Sequence, residues 1–238
     1  MEPRAGGAFT SIMVVLTLTT GVIEAVCFLA LGPAFTAMQT GNLLLLAFAL
    51  TGAAGLSPVA AGVSCAGFVV GAVLGSLLES SVNTHGRPWF APALLGEGLL
   101  LGLGALVAWQ GDVDGPGGPV AGHHFAAVAL VAAAMGMRNV TTLRVRVPHV
   151  STTLSTRALT AFVGGLPHLT APRTGEGARH EGRRFASIGA MFAGGVLGAW
   201  LLHEEVSPAA VLALPAAVVL ALGAASWADQ RRHPSEAG

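Results

Sequence analysis

The sequence predicts an all-α polytopic membrane protein, and its composition and its apolar runs carry that prediction. Of the 238 residues, 53% are hydrophobic and only 10% are charged, whereas soluble domains average roughly 25% charged residues. The hydrophobic residues are gathered in runs long enough for membrane-spanning helices. These runs are residues 12–31, 58–78, 94–109, 125–137, 188–202 and 206–228.

Two further apolar segments, residues 43–54 and 158–165, are short. A helix needs about 20 residues to cross a hydrocarbon core of about 30 Å, so each is predicted to enter and leave the bilayer on one side. The resulting six crossings put the arginine-rich loops and both termini on the cytoplasmic side, as the positive-inside rule requires. Eight crossings, four in each half, are the alternative if residues 36–42 are also helical.

The two halves of the chain resemble each other in order. Residues 21–33 (GVIEAVCFLALGP) align with residues 136–148 (GMRNVTTLRVRVP), and residues 71–78 (GAVLGSLL) align with residues 194–201 (GGVLGAWL). This pattern indicates a duplication. With three crossings in each half, the second half must be inserted upside down, which gives an inverted repeat of about 3+3 spanning helices, each half with a short broken or re-entrant helix.

The whole chain, residues 1–238, is therefore interpreted as a single integral-membrane domain. Repeat A covers about residues 10–110 and repeat B about residues 121–228. A basic segment with glycine and proline, residues 167–184, is expected to form a cytoplasmic loop that is attracted to anionic lipid.

A polar segment interrupts the apolar sequence at residues 36–42 (TAMQTGN) and holds the first candidate site residues, Gln39, Thr40, Gly41 and Asn42. Irregular backbone at membrane depth persists only where protein or water surrounds it. Gly41 is expected to adopt unusual backbone angles, and Thr40 and Asn42 to cap the following helix, whose N-terminus could then hold an anion. A plain helix cap in an interfacial loop is the alternative.

A similar polar interruption is expected in the second half of the chain. Residues 151–160 (STTLSTRALT) occupy the mirrored position, and Thr156 and Arg157 are their candidate site residues. Two such half-helices meeting near the bilayer midplane would build one site for a small solute or ion.

Glu24 lies inside the first apolar run, where an ionised side chain is tolerated only beside a partner or a water-filled cavity. The repeat alignment places it opposite Asn139, next to Arg138. One interpretation is a structural ion pair or hydrogen bond; another is a coupling site that takes up a proton or holds a cation; a lipid-facing position is the third. Glu97 is a second acidic candidate, to which the sequence assigns no basic partner.

Small residues recur at helical spacing on two of the predicted helices. Such faces let helix backbones approach closely in lipid, so they indicate contacts between the two repeats, a homo-oligomer contact, or ordinary bundle packing. The residues are Gly67, Gly71, Gly75, Gly194 and Gly198.

The chain resembles the YoaK family of bacterial inner-membrane proteins. The resemblance is carried by GVIEAVCFLALGPAFTAMQTGN, AAAMGMRNVTT and VSTTLSTRALT. Its most specific element is the Thr40-Gly41-Asn42 sequence. The chain departs from the family at Arg138, where a glutamine is usual, and at Arg157, where a glycine is usual. The resemblance implies a bacterial inner-membrane location and a fold, and it supplies no substrate.

These features favour a small secondary permease or channel-like transporter of a small solute or ion. The alternative is a non-transporting membrane scaffold or a subunit that binds lipid or a protein partner. The sequence has no nucleophile motif, no phosphate-binding loop and no metal-ligand pattern, so no enzyme activity, cofactor or metal is predicted. Apart from the lipid bilayer and the solute, no partner is predicted, and the zero net charge argues against nucleic acid.

Overall fold

Helices make up the regular structure of the described chain. The computed structural model describes residues 7–84, 89–113, 120, 122–145 and 175–232. The helices in that part are α1 (Gly7–Val26), a π-helix (Cys27–Leu31), α2 (Gln39–Leu50), α3 (Pro58–Thr84), α4 (Phe90–Gln110), α5 (Gly122–Val145), α6 (Gly175–His203) and α7 (Pro208–Arg232).

Six helices in the described ranges are long and apolar enough to cross a membrane. The prediction of an all-α polytopic membrane protein is therefore confirmed. Helix α2 includes the polar residues 39–42 but has only 12 residues, or about 18 Å of helix, and is too short to cross. The eight-crossing alternative therefore fails in the first half. The second short segment, residues 158–165, lies outside the described residues.

The spanning helices pack in three long pairs, α1 with α6, α3 with α5, and α4 with α7. Helices α1, α4 and α5 provide most of the buried core, whereas α3 turns an apolar face outward. On that face Val69 is 61% exposed and Leu77 is 57% exposed. An apolar surface of this kind suits contact with lipid rather than with water.

The predicted glycine faces lie at two of these helix pairs. On α3, Gly67, Gly71 and Gly75 face α5, and a Cβ atom at Gly67 would come within 2.6 Å of the Ala129 carbonyl oxygen. On α6, Gly194 and Gly198 face α1. All five glycines therefore serve contacts within the chain, where the absence of a side chain lets two backbones approach.

One predicted boundary differs from the structure. Helix α6 begins at Gly175, so residues 175–184 of the expected loop 167–184 are helical. Its sequence from Glu176 to Arg184 has no proline, and its two glutamates and three arginines favour helix. Residues 167–174 lie outside the described part of the chain.

Candidate functional site

The first spanning helix loses its regular α-helical geometry shortly after Glu24. Helix α1 passes into the π-helix Cys27–Leu31, which ends at Gly32 with φ of 126°. Only glycine adopts that angle readily. An irregular segment, residues 32–38, then leads to α2, and the Phe28 and Phe35 rings stack across the break with centroids 4.9 Å apart. Short π-helical turns are frequent at functional sites.

Glu24 holds one side of this irregular segment. Its side chain is only 5% exposed. The carboxylate accepts hydrogen bonds from the backbone N–H of Ala37 at 2.5 Å, and from the N–H and hydroxyl of Thr36, each at 3.1 Å. Buried N–H groups require such partners. The chain's own carboxylate thus occupies the place beside α2 at which the sequence suggested an anionic ligand.

Asn42 holds the other side. Its amide oxygen accepts the N–H of Phe35 at 2.8 Å, and its amide nitrogen donates to the Phe35 carbonyl and, at 3.0 Å, to the Ser64 hydroxyl. Ser64 lies on α3 and itself donates to the Phe35 carbonyl at 2.5 Å. The Asn42 amide therefore bonds to both backbone groups of Phe35, as a neighbouring β-strand would. Ser64 connects the segment to α3 through the Phe35 carbonyl.

Two details of the predicted break are wrong. Met38, not Thr40 or Asn42, is the N-cap of α2, and it provides no side-chain hydrogen bond. Asn42 is committed to Phe35, and Thr40 is exposed. Gly32 carries the unusual φ rather than Gly41. A Cβ atom at Gly41 would lie 3.0 Å from the Phe35 ring, so this glycine gives room to that ring.

Gln39, the remaining candidate in this segment, supports both sides of it. Its amide nitrogen donates to the Thr36 carbonyl at 2.8 Å, and its amide oxygen accepts from Asn42 at 2.9 Å. Gln39 thus connects Thr36, which is bonded to Glu24, with Asn42, which is bonded to Phe35.

Arg138 forms a second polar cluster with Glu97, Thr20 and Leu16. The side chain of Arg138 is 2% exposed and that of Glu97 is fully buried. Arg138 donates from Nε and Nη2 to Glu97 Oε1, at 2.9 and 2.6 Å. From Nη1 it donates to the Leu16 carbonyl at 2.8 Å and to the Thr20 hydroxyl at 2.7 Å. Three spanning helices, α1, α4 and α5, therefore meet at one guanidinium group.

The expected direct pairing of Glu24 with Arg138 is not formed. Arg138 pairs with Glu97 because α4 packs against α5 and carries the carboxylate to it. Glu24 bonds to Thr36 and Ala37 instead, and Asn139 is half-buried on α5. The two clusters still share a face of α1, since Leu16, Thr20 and Glu24 are spaced four residues apart.

The mirrored candidates of the second half, Thr156 and Arg157, lie outside the described residues. Whether they approach Asn42 therefore stays a prediction.

An open groove of about 270 Å³ lies between α1, the irregular segment and α6. Apolar side chains form most of its wall, and Glu24 is the ionisable group at its edge. Its lining includes Gly21, Glu24, Phe28, Phe35, Met38 and Met191. Glu24, which organises the irregular segment, therefore also lines this groove.

A family model described as "Protein of unknown function (DUF1275)" matches residues 12–225. The chain belongs to this family. The match extends from within α1 to within α7 and includes both polar clusters, and the family description names no activity. Comparisons with curated proteins and with solved structures gave no match.

Several residues of the two clusters were not predicted. Ser64 and Thr20 are single hydroxyl side chains in apolar helices, which sequence alone cannot separate from ordinary packing residues. Thr20 carried a usable signal, because it lies four residues before Glu24 and therefore on the same helical face. The pairing of Glu97 with Arg138 depends on which helices are neighbours, and the sequence does not state that.

Replacing Glu24 with alanine is expected to release residues 32–38. The Thr36 and Ala37 N–H groups would lose their acceptor, and each unpaired buried donor costs about 1 to 3 kcal/mol. Hydrogen exchange of the purified protein in lipid nanodiscs should then be faster in this segment. Glu79→Ala is the matched control, because Glu79 pairs with the exposed Arg144 at 3.1 Å, away from the break. Equal protection in both variants would contradict the role given to Glu24.

Proposed function

We propose that this protein is a small secondary transporter of a small solute or ion in the bacterial inner membrane, with both termini in the cytoplasm. The observation that carries the proposal is the set of buried ionisable groups, Glu24, Glu97 and Arg138, near the irregular segment that follows the first span. Charged groups within membrane spans are costly, and they characteristically mark substrate or ion pathways.

The helix pairs support an inverted repeat. Suppose that α1, α3 and α4 of the first half correspond to α5, α6 and α7 of the second half. Exchanging the halves then turns the observed pair α3–α5 into the observed pair α6–α1. The same exchange turns the pair α4–α7 into itself. Two inverted halves would pack in this way around a pseudo-twofold axis. In transporters built so, a discontinuous helix borders the substrate site and the halves rock against each other.

The groove beside Glu24 supports a site at the break itself. Residues 32–38 are held mainly by hydrogen bonds with side chains, those of Glu24, Gln39, Asn42 and Ser64, and not by helical bonds. This segment can therefore change its conformation without unfolding a spanning helix. The YoaK resemblance, carried by Thr40-Gly41-Asn42, belongs to the same proposal and suggests that relatives share this break.

Reconstitution into proteoliposomes tests the transport. Stopped-flow light scattering would follow a panel of small uncharged solutes, and a potential-sensitive dye would follow a panel of inorganic ions. We expect flux above protein-free vesicles, and we expect Glu24→Gln and Asn42→Ala each to reduce it at least tenfold. Glu79→Gln, the matched control, should retain the wild-type rate.

Absence of flux across the panels would contradict transport and favour the scaffold or lipid-binding alternative. Flux that neither Glu24→Gln nor Asn42→Ala changes would contradict the proposed site. Both comparisons require variants that gel filtration shows to be correctly folded.

A further inference from the structure

The charged groups deep within the described spans do not balance. Glu24 and Glu97 are two acids, and Arg138 is the single base. The other acidic and basic side chains of these spans lie at the helix ends, as Glu79 and Arg144 do. If both buried acids were ionised, the charged groups buried in the described spans would sum to one net negative charge, which a low-dielectric medium strongly disfavours.

The two acids differ in how their oxygens are bonded. Glu24 receives three donors, and both of its oxygens accept from Thr36. Glu97 receives donors from Arg138 on Oε1 alone. Its Oε2 atom is buried and has no hydrogen-bond partner among the residues that the structure describes. Glu97 thus has one oxygen without a partner in the described chain, and that oxygen can take a proton while Arg138 stays bonded to the other.

The residues on either side of Glu97 are in close contact with neighbouring helices. A Cβ atom at Gly98 would lie 2.7 Å from Leu220, and one at Gly96 would lie 3.2 Å from the Met137 sulfur. The helix is therefore closely packed on both sides of the carboxyl group. The groove beside Glu24 does not include Glu97 among its lining residues.

The groups that face this carboxyl group are few. Helix α5 presents Arg138, and α1 presents Thr20 to the same guanidinium group, with Glu24 one turn further along α1 and bonded to Thr36 and Ala37. Helix α7 has no ionisable side chain between Pro208 and Trp227. On α3, Glu79 is paired with Arg144 near the helix end.

We propose that Glu97 carries one dissociable proton on Oε2, so that Glu24, Glu97 and Arg138 together form a proton-binding site. The proton neutralises the excess negative charge, while Arg138 continues to donate to Oε1 of the neutral acid. Where the proposed transport function holds, this site makes the proton the coupling ion; the proton site itself does not depend on transport.

Infrared difference spectroscopy on the protein in lipid nanodiscs tests the site. Solvent-exposed glutamates are ionised at neutral pH, so a protonated carboxyl band there reports a buried acid. We expect one such band in the wild type, lost at alkaline pH. Glu97→Gln should abolish it. Glu24→Gln should also abolish it, because the remaining Glu97 and Arg138 form a neutral pair. Glu79→Gln should leave it unchanged.

Hydrogen exchange assigns the proton to one acid. If Glu97 holds it, deprotonation at alkaline pH leaves the protection of residues 32–38 unchanged after correction for intrinsic exchange. A rise in their protection would place the proton on Glu24 and overturn the assignment.

Two further results would overturn the proton site. One is the absence of a protonated carboxyl band in the wild type, which needs no variant that folds. The other is loss of the band on adding sodium or potassium chloride at fixed pH, which would replace the proton with a metal cation. A protonated carboxyl band without solute flux would contradict transport and support the proton site. Solute flux without this band would support transport and contradict the proton site.

Discussion

Arg138→Gln is expected to destabilise the protein by about 3 to 5 kcal/mol, the usual result of removing one partner of a buried ion pair. The substitution leaves Glu97 buried without its only described donor residue. It also removes the one base that the described spans bury along with two acids, and it leaves the Leu16 carbonyl and the Thr20 hydroxyl without the Nη1 donor. The free energy of unfolding can be measured by titrating sodium dodecyl sulfate into mixed micelles.

Two variants make the Arg138 measurement specific. Arg144→Gln is the same substitution on the same helix, but Arg144 is 62% exposed, and exposed pairs contribute only about 0 to 1 kcal/mol. At alkaline pH, where Glu97 has lost its proton, the double variant Glu97→Gln with Arg138→Gln also removes the uncompensated carboxylate, so at that pH it should be more stable than Arg138→Gln alone. Equal losses for Arg138→Gln and Arg144→Gln would contradict the buried pair.

The membrane fold could be predicted because it follows from local composition and length. Each spanning helix corresponds to an apolar run, and the 12 residues of α2 are too few to cross whatever their neighbours do. These properties need no knowledge of the tertiary structure. The glycine faces could be located for the same reason, since spacing alone places Gly67, Gly71 and Gly75 on one side of α3.

The sequence identified several residues of the site but not the contacts between them. Glu24 and Asn42 stood out because polar groups in an apolar run need partners. Their partners are backbone groups of Phe35, Thr36 and Ala37, which have no signature in the side-chain sequence. The pairing of Glu97 with Arg138 depends on the packing of α4 against α5. A repeat alignment pairs positions that are equivalent by symmetry, and such positions need not touch.

Gly71→Ala is expected to separate α3 from α5. A Cβ atom at Gly71 would overlap the Ala133 carbonyl, which is backbone and cannot rotate away. The two helices must therefore move apart along one of the longest contacts in the fold. Overpacking of this kind costs about 1 to 3 kcal/mol, and more where the backbone cannot adjust. The free energy of unfolding in mixed micelles should fall accordingly.

Gly62→Ala provides the matched control, because it makes the same change in the same helix where nothing lies within 4 Å of the added atom. It should preserve or slightly raise stability, since alanine favours helix over glycine by about 1 kcal/mol. Equal behaviour of the two variants would contradict the close α3–α5 contact. The same reasoning bears on function. A loss of partner binding in a Gly71 variant would not by itself reveal an intermolecular interface, because this glycine already faces α5 of its own chain.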